Sequence, residues 1–151
     1  MPISYRQQIL CKVAESCRIV TMSNKVLLEL AVKARQNAIA PYSGFCVGAA
    51  LRATDGSIYT GCNIENSTLG LTICAERVAL LKALSEGKRQ FERISIVTDT
   101  ETLTPPCGAC RQLLWEFCGN IEVELANLHG KSETRTMLEL LPLPFDSRSI
   151  G

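Results

Sequence analysis

Along this chain, apolar residues at helical spacing alternate with short continuous or alternating apolar runs. Leu27, Leu28, Leu30, Ala31, Ala34 and Ala38 form one side of a predicted helix from Asn24 to Ala40. Ser23 is placed to cap it and Pro41 to stop it. Phe45 to Ala53 reads as a buried strand, Asp55-Gly56 as a turn, and Ser57 to Asn63 as the return strand of a hairpin. A second helix is predicted from Thr72 to a C-cap at Gly87. Ile94 to Thr98 follows as a strand. A third helix from Cys107 to Phe117 is entered through Pro105 and Pro106. Ile121 to Ala126 is the next strand, Lys131 to Met137 a candidate fifth, and Leu138 to Leu141 a short helical turn.

Strands alternating with helices after an opening hairpin imply a mixed sheet covered by helices, an α/β layered domain. Ile9, Leu10, Val13 and Cys17 have helical spacing, so residues 1–22 read as an N-terminal appendage with a short helix. The pattern shows no internal repeat, low-complexity stretch or linker. The reading is one domain over 1–151, large enough to bury a core.

Composition narrows the function. Sixteen basic and 15 acidic residues give a net charge of +1. That is no broad footprint for a polyanion, so nucleic acid is not an expected partner. Arg6, Lys12, Glu15 and Arg18 interrupt the first twenty residues, so a signal peptide is not expected. No stretch approaches the ~20 apolar residues of a membrane span. Eight cysteines could make a disulfide scaffold, but three sit at metal-ligand spacing, and Cys46 and Cys62 fall in apolar runs. A reducing cytoplasm, where thiols stay free for metal, is the expected location.

The candidate chemistry lies in Cys74-Ala75-Glu76-Arg77 and, some thirty residues later, Pro106-Cys107-Gly108-Ala109-Cys110-Arg111-Gln112. Three thiolates leave the fourth position of a tetrahedral zinc to water, as catalytic sites do. Both cysteine groups fall at predicted helix starts, where partial positive charge favours thiolate. Glu76, two residues from the first ligand, is placed for general acid–base work beside a zinc-activated water. Residues two apart on a helix do not share a face, so Glu76 is expected not to point where Cys74 points, yet in an early turn it can lie beside the metal-bound water without being a ligand. Three thiolates on Zn²⁺ leave a charge of −1, and Arg77 or Arg111 is expected to donate to sulfur and offset it. The blander alternatives are a closed structural site with Cys62 as fourth thiolate, or buried cysteines without metal. Asn63 and Glu65 alternate along the predicted strand, so they face one side and need a polar partner.

Several motifs in order resemble the cytidine deaminase family, in its small, homotetrameric, three-cysteine form. They are Pro41-Tyr42-Ser43-Gly44-Phe45, Val47-Gly48-Ala49-Ala50, Gly61-Cys62-Asn63-Ile64-Glu65-Asn66, the two cysteine motifs, and Glu139-Leu140-Leu141-Pro142. The resemblance runs from about Val26 to Phe145. It implies a three-layer α/β/α sandwich with a mixed five-stranded sheet. It implies one zinc per subunit on Cys74, Cys107 and Cys110, with Arg77 bonding the thiolates and Glu76 shuttling protons. It implies that the Ala75 N–H donates to the pyrimidine carbonyl and that Asn63 and Glu65 bond the ribose. Phe45 would pack on the base, and Phe145 would approach it from a neighbouring subunit. The implied reaction is hydrolytic deamination of cytidine and 2′-deoxycytidine to the uridine products plus ammonia, in pyrimidine salvage.

The chain also departs from the family. Leu69 stands where tyrosine is common, and Gly44 and Cys46 differ from the commoner residues beside Phe45. Three rivals remain at this point: deamination of a modified cytosine such as blasticidin S, a polynucleotide cytosine deaminase, and a zinc-stabilised binding protein.

Overall fold

The structure, a computed structural model, describes residues 24–150. The 1–22 appendage, its predicted helix and the Ser23 cap lie outside these residues. Helix α1 occupies residues 24–35. Strands β1 (Gly48–Ala53) and β2 (Ile58–Cys62) form the hairpin. Helix α2 (Ala75–Ser85), β3 (Phe91–Thr98), α3 (Gly108–Cys118), β4 (Glu122–Asn127), β5 (Ser132–Thr136) and the short α4 (Met137–Leu140) follow. The five strands make one sheet in the order β2-β1-β3-β4-β5. Only β3 and β4 pair in parallel, so the sheet is mixed, as expected.

Strand alternation sends side chains to two cores. Ala49, Leu51, Ile94, Ile96, Val123 and Leu125 pack with Ala79, Leu80 and Ala83 of α2 and Leu114 of α3. Ala50, Val97 and Ala126 on the other face pack with Leu27 and Ala31 of α1. Helices on both faces give the three-layer α/β/α sandwich. Two glycines let helices approach the sheet closely. A methyl at Gly48 would lie 2.1 Å from the Ala31 carbonyl oxygen, and one at Gly61 would lie 2.3 Å from that of Ala75.

Element ends differ from expectation for local reasons. Helix α1 ends at residue 35, not Ala40. The next three amides bond three residues back, and the Ile39 N–H then donates to the Asn63 carbonyl. Ile39 bridges Ile64, and the chain before Pro41 is extended, which proline favours in its predecessor. Helix α2 starts at Ala75 because Ile73 exchanges both backbone bonds with Ile64. Strand β3 starts three residues early, at Phe91, by pairing with Ala53 across an irregularity in β1. Strand β1 starts three residues late, because side chains hold Phe45 to Val47.

Candidate metal and substrate site

The N-termini of α2 and α3 meet at one end of the sheet. Cys74 is the N-cap of α2 and Cys107 the N-cap of α3, both with extended backbone. Cys110 lies in the first turn of α3 and is buried. The three sulfurs lie within 4.8 Å of one another, with Cys74 and Cys107 Sγ 3.9 Å apart. Tetrahedral zinc with Zn–S bonds of about 2.3 Å sets its sulfurs about 3.8 Å apart, so the three thiols fit the ion. Cys62, at the end of β2, does not join the cluster, so a four-thiolate closed site is not formed among the described residues. No disulfide links the described cysteines.

The thiols are electrostatically unequal. Cys74 is lowered to about 5, chiefly by the hydrogen bond from Cys110; burial opposes this and Arg77 adds to it. Cys110 is pushed up, because it is the donor to Cys74 and is desolvated. Arg77 Nη2 donates to Cys74 Sγ at 3.5 Å and to the Thr72 carbonyl at 3.1 Å. Its Nε is buried without a partner among the described residues. Arg111 does not donate to sulfur as expected. Its Nε donates to the Pro106 carbonyl and its Nη1 to the Leu140 carbonyl, both at 2.7 Å. It therefore ties the loop before α3 to α4.

Glu76 is 5% exposed, in the first turn of α2. Burial pushes its carboxyl up to about 7, and the neighbouring Cys74 adds to this, against its own backbone N–H and Arg77. Both Cys74 and Glu76 line one cavity of about 270 Å³. The expectation that they share no face assumed both were helical. Cys74 is the extended cap, so the helical-face rule does not apply to it.

Phe45, Val47, Asn63, Glu65, Thr72, Ile96, Thr98, Thr104, Pro105 and Cys107 complete the lining. The sequence reading gave Val47, Thr72, Ile96, Thr98, Thr104 and Pro105 no place at the site; the first four read as parts of strands or a helix start, and the other two lie in the loop before α3. Ala75 is fully buried behind the lining. Phe145 is 61% exposed and does not line this chain's cavity; its carbonyl accepts from Gln112 Nε2.

Asn63 and Glu65 hold internal partners that were not foreseen. They lie beyond the end of β2. Asn63 Oδ1 accepts from the Val47 N–H at 2.8 Å, and Nδ2 donates to the Phe45 carbonyl at 2.7 Å. Glu65 accepts from the Tyr42 and Ser43 N–H groups and from the Ser43 hydroxyl. These bonds hold the Glu65 carboxyl below its ordinary range, the Ser43 hydroxyl contributing most. The polar pair is thus satisfied first by the loop that carries Phe45, and each group keeps acceptor or donor capacity toward the cavity.

The chain matches the family model of the cytidine and deoxycytidylate deaminase zinc-binding region over residues 21–123. It is 50% identical over 131 residues to a cytidine deaminase of Sporosarcina psychrophila, covering 86% of this chain and 96% of the relative. A cytidine deaminase of Halalkalibacterium halodurans is 48% identical, over 86% of this chain and 99% of the relative. The crystal structure of cytidine deaminase from Burkholderia pseudomallei superposes with a TM-score of 0.78 at 45% identity, covering 80% of this chain and 98% of that one. A zinc-type hydrolytic deaminase is the class that this fold and thiol cluster define. The chain belongs to the cytidine and deoxycytidylate deaminase family.

Proposed function

We propose that this enzyme hydrolyses cytidine and 2′-deoxycytidine to uridine and 2′-deoxyuridine plus ammonia, in pyrimidine salvage in the cytoplasm. The observation carrying this reading is the placement of buried Glu76 and two of the three clustered thiols on one small cavity. Cys74, Cys107 and Cys110 hold one zinc per chain, with Arg77 offsetting thiolate charge. Bound there, zinc supplies the Lewis acidity that lets water attack C4 near neutral pH. Glu76, its pKa raised toward neutrality by burial, takes one proton from the attacking water to N3 of the base, then moves the remaining hydroxyl proton to the amine, which leaves as ammonia while the C4 carbonyl forms. The Ala75 N–H at the start of α2 donates to the pyrimidine carbonyl. Phe45 packs on the ring, and Asn63 and Glu65 use their remaining capacity on the ribose.

The proposed assembly is a homotetramer, in which Phe145 reaches a neighbour's site. Support comes from large apolar side chains left open: Leu143 is 98%, Leu69 71% and Phe145 61% exposed. Leu69 at a common tyrosine position then makes an apolar contact and no hydrogen bond.

The test is uridine and ammonia release from cytidine by zinc-loaded protein, with Glu76→Gln alongside. Turnover by the wild type, lost in a variant that keeps its zinc, supports the reading. No turnover of cytidine or deoxycytidine by the zinc-loaded wild type refutes it.

A further inference from the structure

The cavity opens where the β1–β3 ladder stops. The last pair of that ladder is Gly48 with Val97. The same register carried further would set Val47 opposite Thr98 and Cys46 opposite Asp99. Those pairs do not form. The Val47 N–H donates to the Asn63 side chain and its carbonyl accepts from the Asn63 N–H, while Thr98 is paired on the β4 side with Asn127, its carbonyl accepting from the Leu128 N–H. Phe45 and Val47 line one side of the resulting gap, and Ile96 and Thr98 the other.

Arg35, the last residue of α1, spans this gap. Its Nε donates to the Cys46 carbonyl at 2.9 Å. Its Nη2 lies 3.7 Å from Asp99 Oδ2, and the other Asp99 oxygen lies 3.1 Å from His129 Nε2. The backbone beneath Arg35 is fixed, since a methyl at Gly48 would lie 2.6 Å from its amide nitrogen. The other side-chain anchors of residues 45–47 are Ser43 and Asn63, which hold the segment from its own hairpin side. Arg35 alone among these anchors ties it to the β3 side.

We infer that Arg35 is a positioning residue: its guanidinium replaces the missing ladder between Cys46 and Asp99 and sets the width of the cleft that receives the nucleoside base. His129 holds Asp99 from behind. Arg35 bonds no residue of α2, so its effect falls on ligand binding rather than on the proton work of Glu76. The substrate named here rests on the reading in the preceding section.

The experiment compares zinc-loaded full-length wild type with Arg35→Met, Arg35→Lys and Asp99→Asn. Steady-state rates on cytidine, calorimetric affinity for uridine and zinc content are measured for each. Arg35→Met is expected to raise both KM and the uridine Kd about tenfold, as for loss of one charged hydrogen bond. Its kcat stays within about twofold and its zinc content is unchanged. Arg35→Lys and Asp99→Asn move KM the same way by less. Unchanged KM and uridine Kd in Arg35→Met overturn the inference. So does a parallel fall of kcat, zinc content and thermal stability with KM unmoved, which marks a purely structural residue. Should Arg35→Met fail to fold, the lysine and Asp99 variants decide by the same readouts. A wild type inactive on cytidine refutes the substrate reading instead; an active wild type with unaltered variants refutes only the role of Arg35.

Discussion

Asn63→Ala separates scaffolding from ligand contact. Asn63 is 7% exposed, and its amide makes two short bonds to the segment that carries Phe45. Truncation leaves the Val47 N–H, in a buried residue, without its partner, at a cost of about 1–3 kcal/mol. The Phe45 carbonyl belongs to a half-exposed residue that water can reach, so its loss adds about 0.5–1.5 kcal/mol. The expected destabilisation is therefore about 1.5–4.5 kcal/mol, before any ligand is added. Urea unfolding of the zinc-loaded protein at one fixed concentration measures it as a shift in midpoint at constant slope. Asn63→Asp keeps the acceptor for Val47 but sets an anionic oxygen against the Phe45 carbonyl, so it is expected to be no milder. A folded Asn63→Ala protein within about 0.5 kcal/mol of wild type, weakened only in KM, would refute the reasoning and make Asn63 a ligand contact alone.

Gly61, Arg77 and Glu65 give three further outcomes. Gly61→Ala forces the first turn of α2 off the sheet, because the new methyl would meet the Ala75 carbonyl oxygen at 2.3 Å and the Ala79 amide at 2.6 Å. Stability should fall by about 1–3 kcal/mol with loss of turnover, and a variant unchanged in both assays would refute this. Arg77→Ala removes the donor to Cys74 Sγ, and competition with a chromophoric chelator should show zinc affinity reduced about 10–100-fold; equal affinity would deny Arg77 that role. Glu65 has a folded pKa below its ordinary 4.5, so what its ionisation contributes is present above that value and lost as pH falls through the lower folded one. An NMR titration should place its carboxyl midpoint under 4.5, rising in Ser43→Ala; a midpoint at or above 4.5 in the wild type contradicts the bonding described.

Much of the site was legible in the chain because metal chemistry constrains residue type and local spacing together. Cys107 and Cys110, three apart at a helix start after two prolines, announce themselves without tertiary information. So does Cys74 before Glu76, since a catalytic thiol cluster needs an acid close by. The element order was legible for a similar reason: apolar periodicity is a local property, and both cores take their residues from it. What the chain alone could not settle were outcomes of competition between distant groups. Ile73 and Ile39 are both drawn to Ile64, which shortens two helices and makes Cys74 an extended cap, able to share a cavity with Glu76. Asn63 is drawn to residues 45–47, which keeps them out of β1 and opens the cleft. Arg111 finds the carbonyls of Pro106 and Leu140, and so never turns toward sulfur. Arg35 finds Cys46 and Asp99, residues 11 and 64 positions away in the chain. Each of these side chains had several partners chemically open to it. Only the folded backbone, by fixing which buried donor or acceptor would otherwise stand unpaired, selected one.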